Sequence, residues 1–391
     1  MDSVDVIVVG AGAVGLAIAR ELAMDGQDVL VVERNASFGM ETSSRNNEVV
    51  HSGVFHRPGS PQAALCRRGR DMTYAYCAAR GVRTERTGKL ILANSETDRD
   101  WLAGVFELGL ENDCDDLEWL EGEEVLRLEP EIACHSAILS PSTGIMDTHN
   151  LMLAFLGDAE AAGALVAFRS EVTDVEPVAG GFKITVVGHS GERIDLRCRT
   201  FVNAAGPWSA EVARKIRGLP ESALPKVHFA KGTFFKYHGA RPFSRLVVPS
   251  QPSWRNGGIF TLDLGGQGKF GPDEEWIDAV DYKLDQSRAA AVAEAIRRYW
   301  PNVRADALIA EYAGVRPRLN GPGEPPANWL LQGPDLNGLN GLINLFGVES
   351  PGVTSSLAIA SEVAQMVQGA PSPFAPAAGP AGESAGSTIH Q

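Results

Sequence analysis

The first thirty-five residues constrain this chain more than any other stretch. Val4-Asp5-Val6-Ile7-Val8-Val9 is a β-branched run that predicts a buried parallel strand. Gly10-Ala11-Gly12-Ala13-Val14-Gly15 follows directly, and Leu16 to Met24 has helical composition. Asp28 to Glu33 predicts a second strand that ends in an acid, 18 residues after Gly15. Strand, G-x-G-x-x-G, helix, strand and acid in this order predict a dinucleotide-binding βαβ unit. Gly10 makes the tight turn, Gly12 lets a pyrophosphate approach the backbone, and Gly15 lets the helix lie close to the strand. The free N–H groups and partial positive charge of the helix N-terminus attract the phosphates. Glu33 is placed to accept ribose hydroxyls and to repel a 2′-phosphate, which disfavours NADP. The motif alone leaves FAD and NAD open. Gly266 to Gly271 also spells G-x-G-x-x-G, but Pro272 and three acids follow, so it predicts a hairpin.

Composition excludes several classes. With 44% apolar and 21% charged residues the 391-residue chain is globular, long enough for two or three domains. A net charge of −14 makes it a poor general nucleic-acid binder. Five widely spaced cysteines without a C-x-x-C predict reduced thiols in a cytoplasmic protein, with no disulfide framework, metal site or redox dithiol. The most apolar stretch, Val6 to Ala19, is too short to span a bilayer, and no basic region precedes it. Any membrane contact is expected to be peripheral, at the inner membrane.

Asn35 to Gly59 reads NASFGMETSSRNNEVVHSGVFHRPG. A Ser/Thr/Asn-rich loop after an acid-ended strand resembles the FAD-dependent oxidases of the D-amino-acid oxidase and glycine oxidase superfamily. Ser43 to Val54, with His51 inside it, resembles the L-2-hydroxyglutarate dehydrogenase/oxidase branch. Pro58-Gly59-Ser60, Gly88-Lys89-Leu90, Ser142 to Ile145, Gly271-Pro272-Asp273 with Glu275-Trp276, Ala313 to Arg318 and Glu349 to Ser356 continue the resemblance in order. It spans residues 4 to about 367. One departure is Gly53-Val54-Phe55-His56: some members carry two aromatic residues after that glycine, and the extra histidine bears on substrate shape.

The resemblance implies an α/β fold, a Rossmann-like FAD-binding domain with a second, α+β substrate domain built on an antiparallel sheet. The expected FAD-binding domain is discontinuous, 1–88, 144–225 and 328–368. Residues 89–143 and 226–327 form the substrate domain, and the Ala/Pro/Gly/Ser-rich 369–391 a disordered tail. It implies FAD contacts at Gly10, Ala11, Gly12, Ala13, Val14, Gly15, Glu33, Arg34, Thr42, Ser43, Ser44, Arg45 and Asn46. Further contacts fall at Val172 (adenine, through its backbone), Ala204, Ala205, Gly206 and Trp208, then at Arg316 and Ser350, Pro351, Gly352, Val353 and Thr354. The small residues at 204–206 also suit plain strand–helix packing. A helix expected from Val353 onward would point its N-terminus at the flavin edge.

The implied reaction is oxidation of an L-2-hydroxy acid to the 2-oxo acid, most specifically L-2-hydroxyglutarate to 2-oxoglutarate, by hydride transfer to flavin N5. That chemistry needs a base and a carboxylate anchor. His51 is the candidate base; a covalent flavin link and a structural histidine are the alternatives. His56 is a lesser candidate, a loop-surface histidine being its ordinary reading. Arg316 is the candidate anchor, since a guanidinium forks onto a carboxylate, against a structural ion pair; Arg318 is the weaker of the two. Lys226 to Gly271 holds seven Lys or Arg and one acid, Asp263. That run is either a solvated face or a source of cations for a second substrate carboxylate, with Lys269 or Lys231 as the contact. The expected partners are a small anionic, dicarboxylate substrate and, as electron acceptor, O2, a quinone or a carrier. The rival functions are oxidation of an amine or amino acid on the same fold, and a non-catalytic nucleotide-binding scaffold.

Overall fold

The computed structural model describes residues 2–374. The expected tail beyond Phe374 lies outside the described residues. Packing divides the chain into two compact units. The first comprises residues 2–44, 148–228 and 316–374, and the second 45–147 and 229–315, among the described residues. The chain therefore changes unit at 44/45, 147/148, 228/229 and 315/316, where the sequence suggested 88/89, 143/144, 225/226 and 327/328.

The first unit is built on an eight-stranded mixed sheet. β1 (Ser3–Val9) lies between β2 (Val29–Val32) and the C-terminal half of Arg193–Asn203, parallel to both. Leu165–Ala167 extends this parallel set beyond β2, and Leu342–Phe346 extends it beyond Arg193–Asn203. The β1–β2 crossover is α1 (Ala13–Met24), which packs on Thr148–Ala161 and Ser356–Val367. Its buried face is Leu16, Ala17, Ile18, Ala19 and Leu22, small residues near the strands and aliphatic ones beyond. The hairpin expected at Gly180-Gly181 is present: Ser170–Val178 runs antiparallel to Gly181–Gly188, with a bulge at Thr173.

The second unit carries a nine-stranded, largely antiparallel sheet in which Lys89–Ala93 runs parallel to Leu246–Val248. Apolar side chains alternate across Lys89–Ala93, so that Leu90 and Leu92 enter one core with Phe235, Phe260 and Phe270. Ile91 and Ala93 enter another with Val54, Leu102 and Val105. Residues 266–271 belong to the antiparallel turn between Phe260–Leu262 and Gly268–Phe270, as expected of the second glycine motif. α2 (Pro61–Arg80) opens with Pro61 at its first position, capped by the Ser60 hydroxyl, and stops at left-handed Gly81. α3 (Glu96–Glu111) lies on the Lys89–Ala93 strand. All five cysteines are free; Cys134 is half-buried and the others buried.

Candidate active site

In the first unit the glycine turn is packed so tightly that its sequence is dictated. Gly10 has φ +102°, and a Cβ there would sit 2.7 Å from the Ala204 carbonyl oxygen. A Cβ on Gly15 would come within 1.9 Å of the Gly10 carbonyl oxygen, and one on Gly12 within 2.9 Å of Ser43 Oγ. Ser43 Oγ accepts the Ala13 N–H at 3.0 Å. The N–H groups of Val14 and Gly15 in the first turn of α1 have no carbonyl of the helix within reach. Glu33 is buried, and both its oxygens accept backbone N–H groups, Oε2 from Ala11 at 2.8 Å and Oε1 from Asn35 at 2.7 Å. This carboxylate closes the glycine turn onto the end of β2, a function its position in the motif did not reveal.

Around the turn, Thr42–Ser44 forms one 3₁₀ turn. Arg34 lies 4.0 Å over the Trp208 ring and pairs with Glu41 at 2.7 Å. Trp208 Nε1 is sealed from solvent without a hydrogen-bond partner. The Ala204 N–H donates to the Val9 carbonyl at 3.0 Å, which joins the ends of two parallel strands. Pro207 lies in the 3₁₀ turn Gly206–Trp208, ahead of the helix Ser209–Arg214. The Val172 carbonyl accepts from Lys215 Nζ at 3.1 Å, at the edge of the bulge. A buried amide ladder fixes these strand ends. Asn203 Nδ2 donates to the Ser209 carbonyl (2.8 Å) and Asn344 Oδ1 (3.0 Å), and Asn344 Nδ2 donates to Gln332 Oε1 (3.0 Å). Nothing in the sequence marks this ladder, because its members lie far apart in the chain and carry no motif.

Arg316 and Arg318 share one carboxylate. Arg316 Nε is 3.7 Å from Glu349 Oε2 and Arg318 Nε 3.3 Å from Oε1. The Arg318 side chain is 9% exposed and that of Arg316 32%, so Arg318 is the more deeply buried member of the pair. Glu349 leads into Ser350-Pro351-Gly352-Val353-Thr354. The helix expected from Val353 starts instead at Ser356. Residues 351–355 form a turn, in which the Ser355 N–H reaches the Pro351 carbonyl at 3.0 Å and the Ser356 N–H the Val353 carbonyl at 3.2 Å. The Ser355 and Ser356 hydroxyls are sealed and unpartnered.

The second unit holds Arg45, Asn46, His51 and Lys269. The Arg45 guanidinium stacks 4.0 Å over the Tyr282 ring, and a Cβ at Gly314 would approach the Arg45 carbonyl oxygen to 2.4 Å. The Tyr312 hydroxyl donates to the Asn46 carbonyl at 2.8 Å, and Asn46 Oδ1 accepts the N–H of Glu48, a non-glycine residue with φ +60°. Burial raises the Glu48 carboxyl, with Lys269 pulling the other way. The half-buried His51 lies in a segment pinned by thiols: Cys66 Sγ donates to the His51 carbonyl (3.6 Å) and Cys114 Sγ to that of Ser52 (3.2 Å). Asn112 Nδ2 donates to the carbonyls of Gly53 (3.2 Å) and His56 (2.6 Å). His56 is a core residue and not the loop-surface histidine expected. Burial and, after it, Lys89 lower its pKa to about 3, so its imidazole is neutral at physiological pH.

Four of the seven cations of the basic run face acids, most of these from elsewhere in the chain, while Lys226, Arg241 and Arg255 are exposed. Lys269 Nζ faces Glu48 (3.7 Å) and Asp263 (3.9 Å), Lys231 faces Glu275 (3.2 Å) and Asp281 (3.7 Å), Lys236 faces Glu311 and Arg245 faces Glu129. Neither a uniformly solvated face nor a bank of free cations describes it. His51 and Lys269 belong to one compact unit and Arg316 to the other.

Residues 5–366 match the family model described as DAO, FAD dependent oxidoreductase. The chain belongs to this family. Within it, a mitochondrial L-2-hydroxyglutarate dehydrogenase from Arabidopsis thaliana is 37% identical over 93% of this chain and 83% of its own length. Among solved structures, an L-α-glycerophosphate oxidase from Mycoplasma pneumoniae with FAD bound superposes with TM-score 0.82 at 21% identity, over 94% of this chain and 95% of that one. A glycine oxidase from Geobacillus kaustophilus gives TM-score 0.78 at 21%, with the same coverage. As an FAD-dependent oxidoreductase the chain has the parts its cofactor requires. The turn tolerates no Cβ at Gly10 or Gly15, where it would meet the backbone of Ala204 or Gly10; the first turn of α1 carries N–H groups that a helix leaves without carbonyl partners; and the sealed Trp208 N–H is a donor without an internal acceptor. No helix among the described residues is long and apolar enough to cross a membrane.

Proposed function

We propose that this protein oxidises an L-2-hydroxy acid to the 2-oxo acid, with L-2-hydroxyglutarate as substrate and 2-oxoglutarate as product. The observation that carries the reading is the near-full-length likeness to the Arabidopsis protein of that name. The glycine oxidase likeness speaks for fold alone, so amine oxidation is the weaker reading.

FAD, when bound, supplies the hydride acceptor, flavin N5. In this reading Gly10, Ala11, Gly12, Ala13, Val14 and Gly15 hold its diphosphate, with Thr42, Ser43 and Ser44 beside them. Glu33 accepts from ribose hydroxyls on the lone pairs its two backbone bonds leave free. Arg34, Trp208 and the Val172 backbone serve the adenosine end. Arg45, Asn46, Ala204, Ala205, Gly206 and Ser350 to Thr354 line the remainder. The His51 imidazole takes the hydroxyl proton, and a histidine ordinarily titrates close enough to neutrality to do so. Arg316 takes the α-carboxylate, a guanidinium being able to fork onto it. Lys269, already engaged by two acids, steadies the Glu48 turn three residues before His51. Electrons leave to O2, a quinone or a carrier from a cytoplasmic protein in peripheral contact with the inner membrane, which fractionation and an acceptor panel test.

The deciding experiment mixes purified holoprotein anaerobically with L-2-hydroxyglutarate, its D-enantiomer, glycine and sarcosine and follows flavin absorbance. Rapid bleaching by L-2-hydroxyglutarate alone is expected. Bleaching by an amine instead, or by none of the four, overturns the reading.

A further inference from the structure

Lys89 is the first residue of the strand Lys89–Ala93 and is 4% exposed. Among the described residues its ammonium has neither a counter-ion nor a hydrogen-bond acceptor. This sets it apart from Lys231, Lys236 and Lys269 of the same unit, each of which meets a carboxylate. What surrounds Lys89 is neutral. The Phe55 ring is 4.9 Å away, and the titratable neighbours are His56, Cys66 of α2 and Cys114 beyond α3. Burial pushes the two thiols up to about 12 and about 11, so neither is a thiolate at physiological pH, and His56 is uncharged. The charges that reach the thiols from farther out are Arg70, which spends its donors on Asp71 and Ser142, Arg67, which pairs with Asp71, and Asp116, whose carboxylate accepts from Ser142; none of them contacts the Lys89 amine.

A buried amine without an anion is expensive to keep, and an aliphatic side chain of similar volume would serve the core better. The place of Lys89 also ties it to the reaction. The thiols that flank it are the ones that pin the carbonyls of His51 and Ser52, and Phe55 and His56 continue the same segment.

We propose that Lys89 receives the distal carboxylate of the substrate and so makes the enzyme selective for dicarboxylic 2-hydroxy acids. The inference rests on the proposed 2-hydroxy-acid chemistry and assigns the second anion to Lys89 in place of Lys269. An ammonium suits this role, being a point charge that needs one oxygen and no fixed fork.

The test uses the holoprotein, Lys89→Met and Lys89→Arg, with a dye acceptor. The substrates are L-2-hydroxyglutarate and L-2-hydroxyvalerate, which has a methyl group where the former has its distal carboxylate. Loss of a buried charge pair predicts a KM for L-2-hydroxyglutarate raised roughly 100-fold or more in Lys89→Met, with kcat within about 3-fold and L-2-hydroxyvalerate hardly affected. Lys89→Arg retains part of the discrimination. In parallel, glutarate, which is redox-inert, is titrated calorimetrically into both proteins, and its Kd rises roughly 30-fold or more in Lys89→Met while butyrate shows no difference. Equal losses on both substrates, an unchanged glutarate Kd, or loss of bound flavin without change in substrate preference overturns the assignment. If neither hydroxy acid reduces the wild type, the parent reading fails, and the glutarate titration still judges Lys89.

Discussion

A lysine kept for a ligand leaves a mark on stability, and Lys89→Met measures it. Burial holds the Lys89 amine at a pKa of about 8 in the folded protein against an ordinary 10.5. Each tenfold change in proton affinity corresponds to about 1.4 kcal/mol, so carrying the charge at pH 7 costs the fold about 3 kcal/mol. Methionine removes that cost at nearly constant volume and gives up a cation–π contact with Phe55 worth about 1 kcal/mol. The ligand-free variant is therefore expected to be more stable than wild type by about 2 kcal/mol at pH 7, and its urea midpoint to rise. The sign against pH follows from the lowered folded pKa. Between about 8 and 10.5 the unfolded chain binds more protons, so wild-type stability climbs with pH and the advantage of methionine shrinks, by about 2 kcal/mol between pH 7 and 9.5. The groups facing the amine do not confuse the measurement: His56 stays neutral throughout and the Cys66 and Cys114 thiols stay largely protonated. Equilibrium urea unfolding of both proteins at the two pH values is the assay. A less stable methionine variant at pH 7, or a difference that does not move with pH, refutes the account.

Three further outcomes are expected. Gly15→Ala places a methyl 1.9 Å from the Gly10 carbonyl oxygen, so the purified protein should lose most of its bound FAD, read as the ratio of flavin to protein absorbance. His51→Asn should slow anaerobic flavin reduction by roughly 10²–10⁴-fold with FAD content unchanged, the usual contribution of a general base; an effect under tenfold removes His51 from that role. Lys269→Ala should lower kcat for mono- and dicarboxylic substrates alike, since its partners are Glu48 and Asp263; a KM effect confined to dicarboxylates would return the second anion to Lys269.

Much of this architecture is legible from the chain because local rules decide it. A β-branched run before three spaced glycines admits one backbone path, and Ser60-Pro61 and Gly81 punctuate α2 by capping chemistry that involves no distant residue. What stayed hidden depends on residues remote in sequence. Acids at positions 48, 129, 275, 281 and 311 face four of the seven cations in the basic run, so the surplus visible along residues 226–271 overstates the free charge. His56 looks like a loop residue until Asn112 ties its carbonyl down, and Lys89 looks like an ordinary strand lysine until its neighbours prove neutral. The start of the last helix was misplaced because a run of small residues after Gly352 suits a turn as well as a helix.

The order of the segments bears on how the protein is made. Among the described residues the second unit ends at Val315, whereas the first still lacks the strand Leu342–Phe346 and the helix Ser356–Val367 that packs on α1. At ribosomal speeds of roughly 5–20 residues per second, the glycine turn waits on the order of 15–65 s for those last pieces. The nascent chain thus finishes its later-starting half first, and cofactor capture waits for the strand Leu342–Phe346 and the helix Ser356–Val367. Fragments cut before residue 342 should emerge colourless however well their amino-terminal turn is preserved.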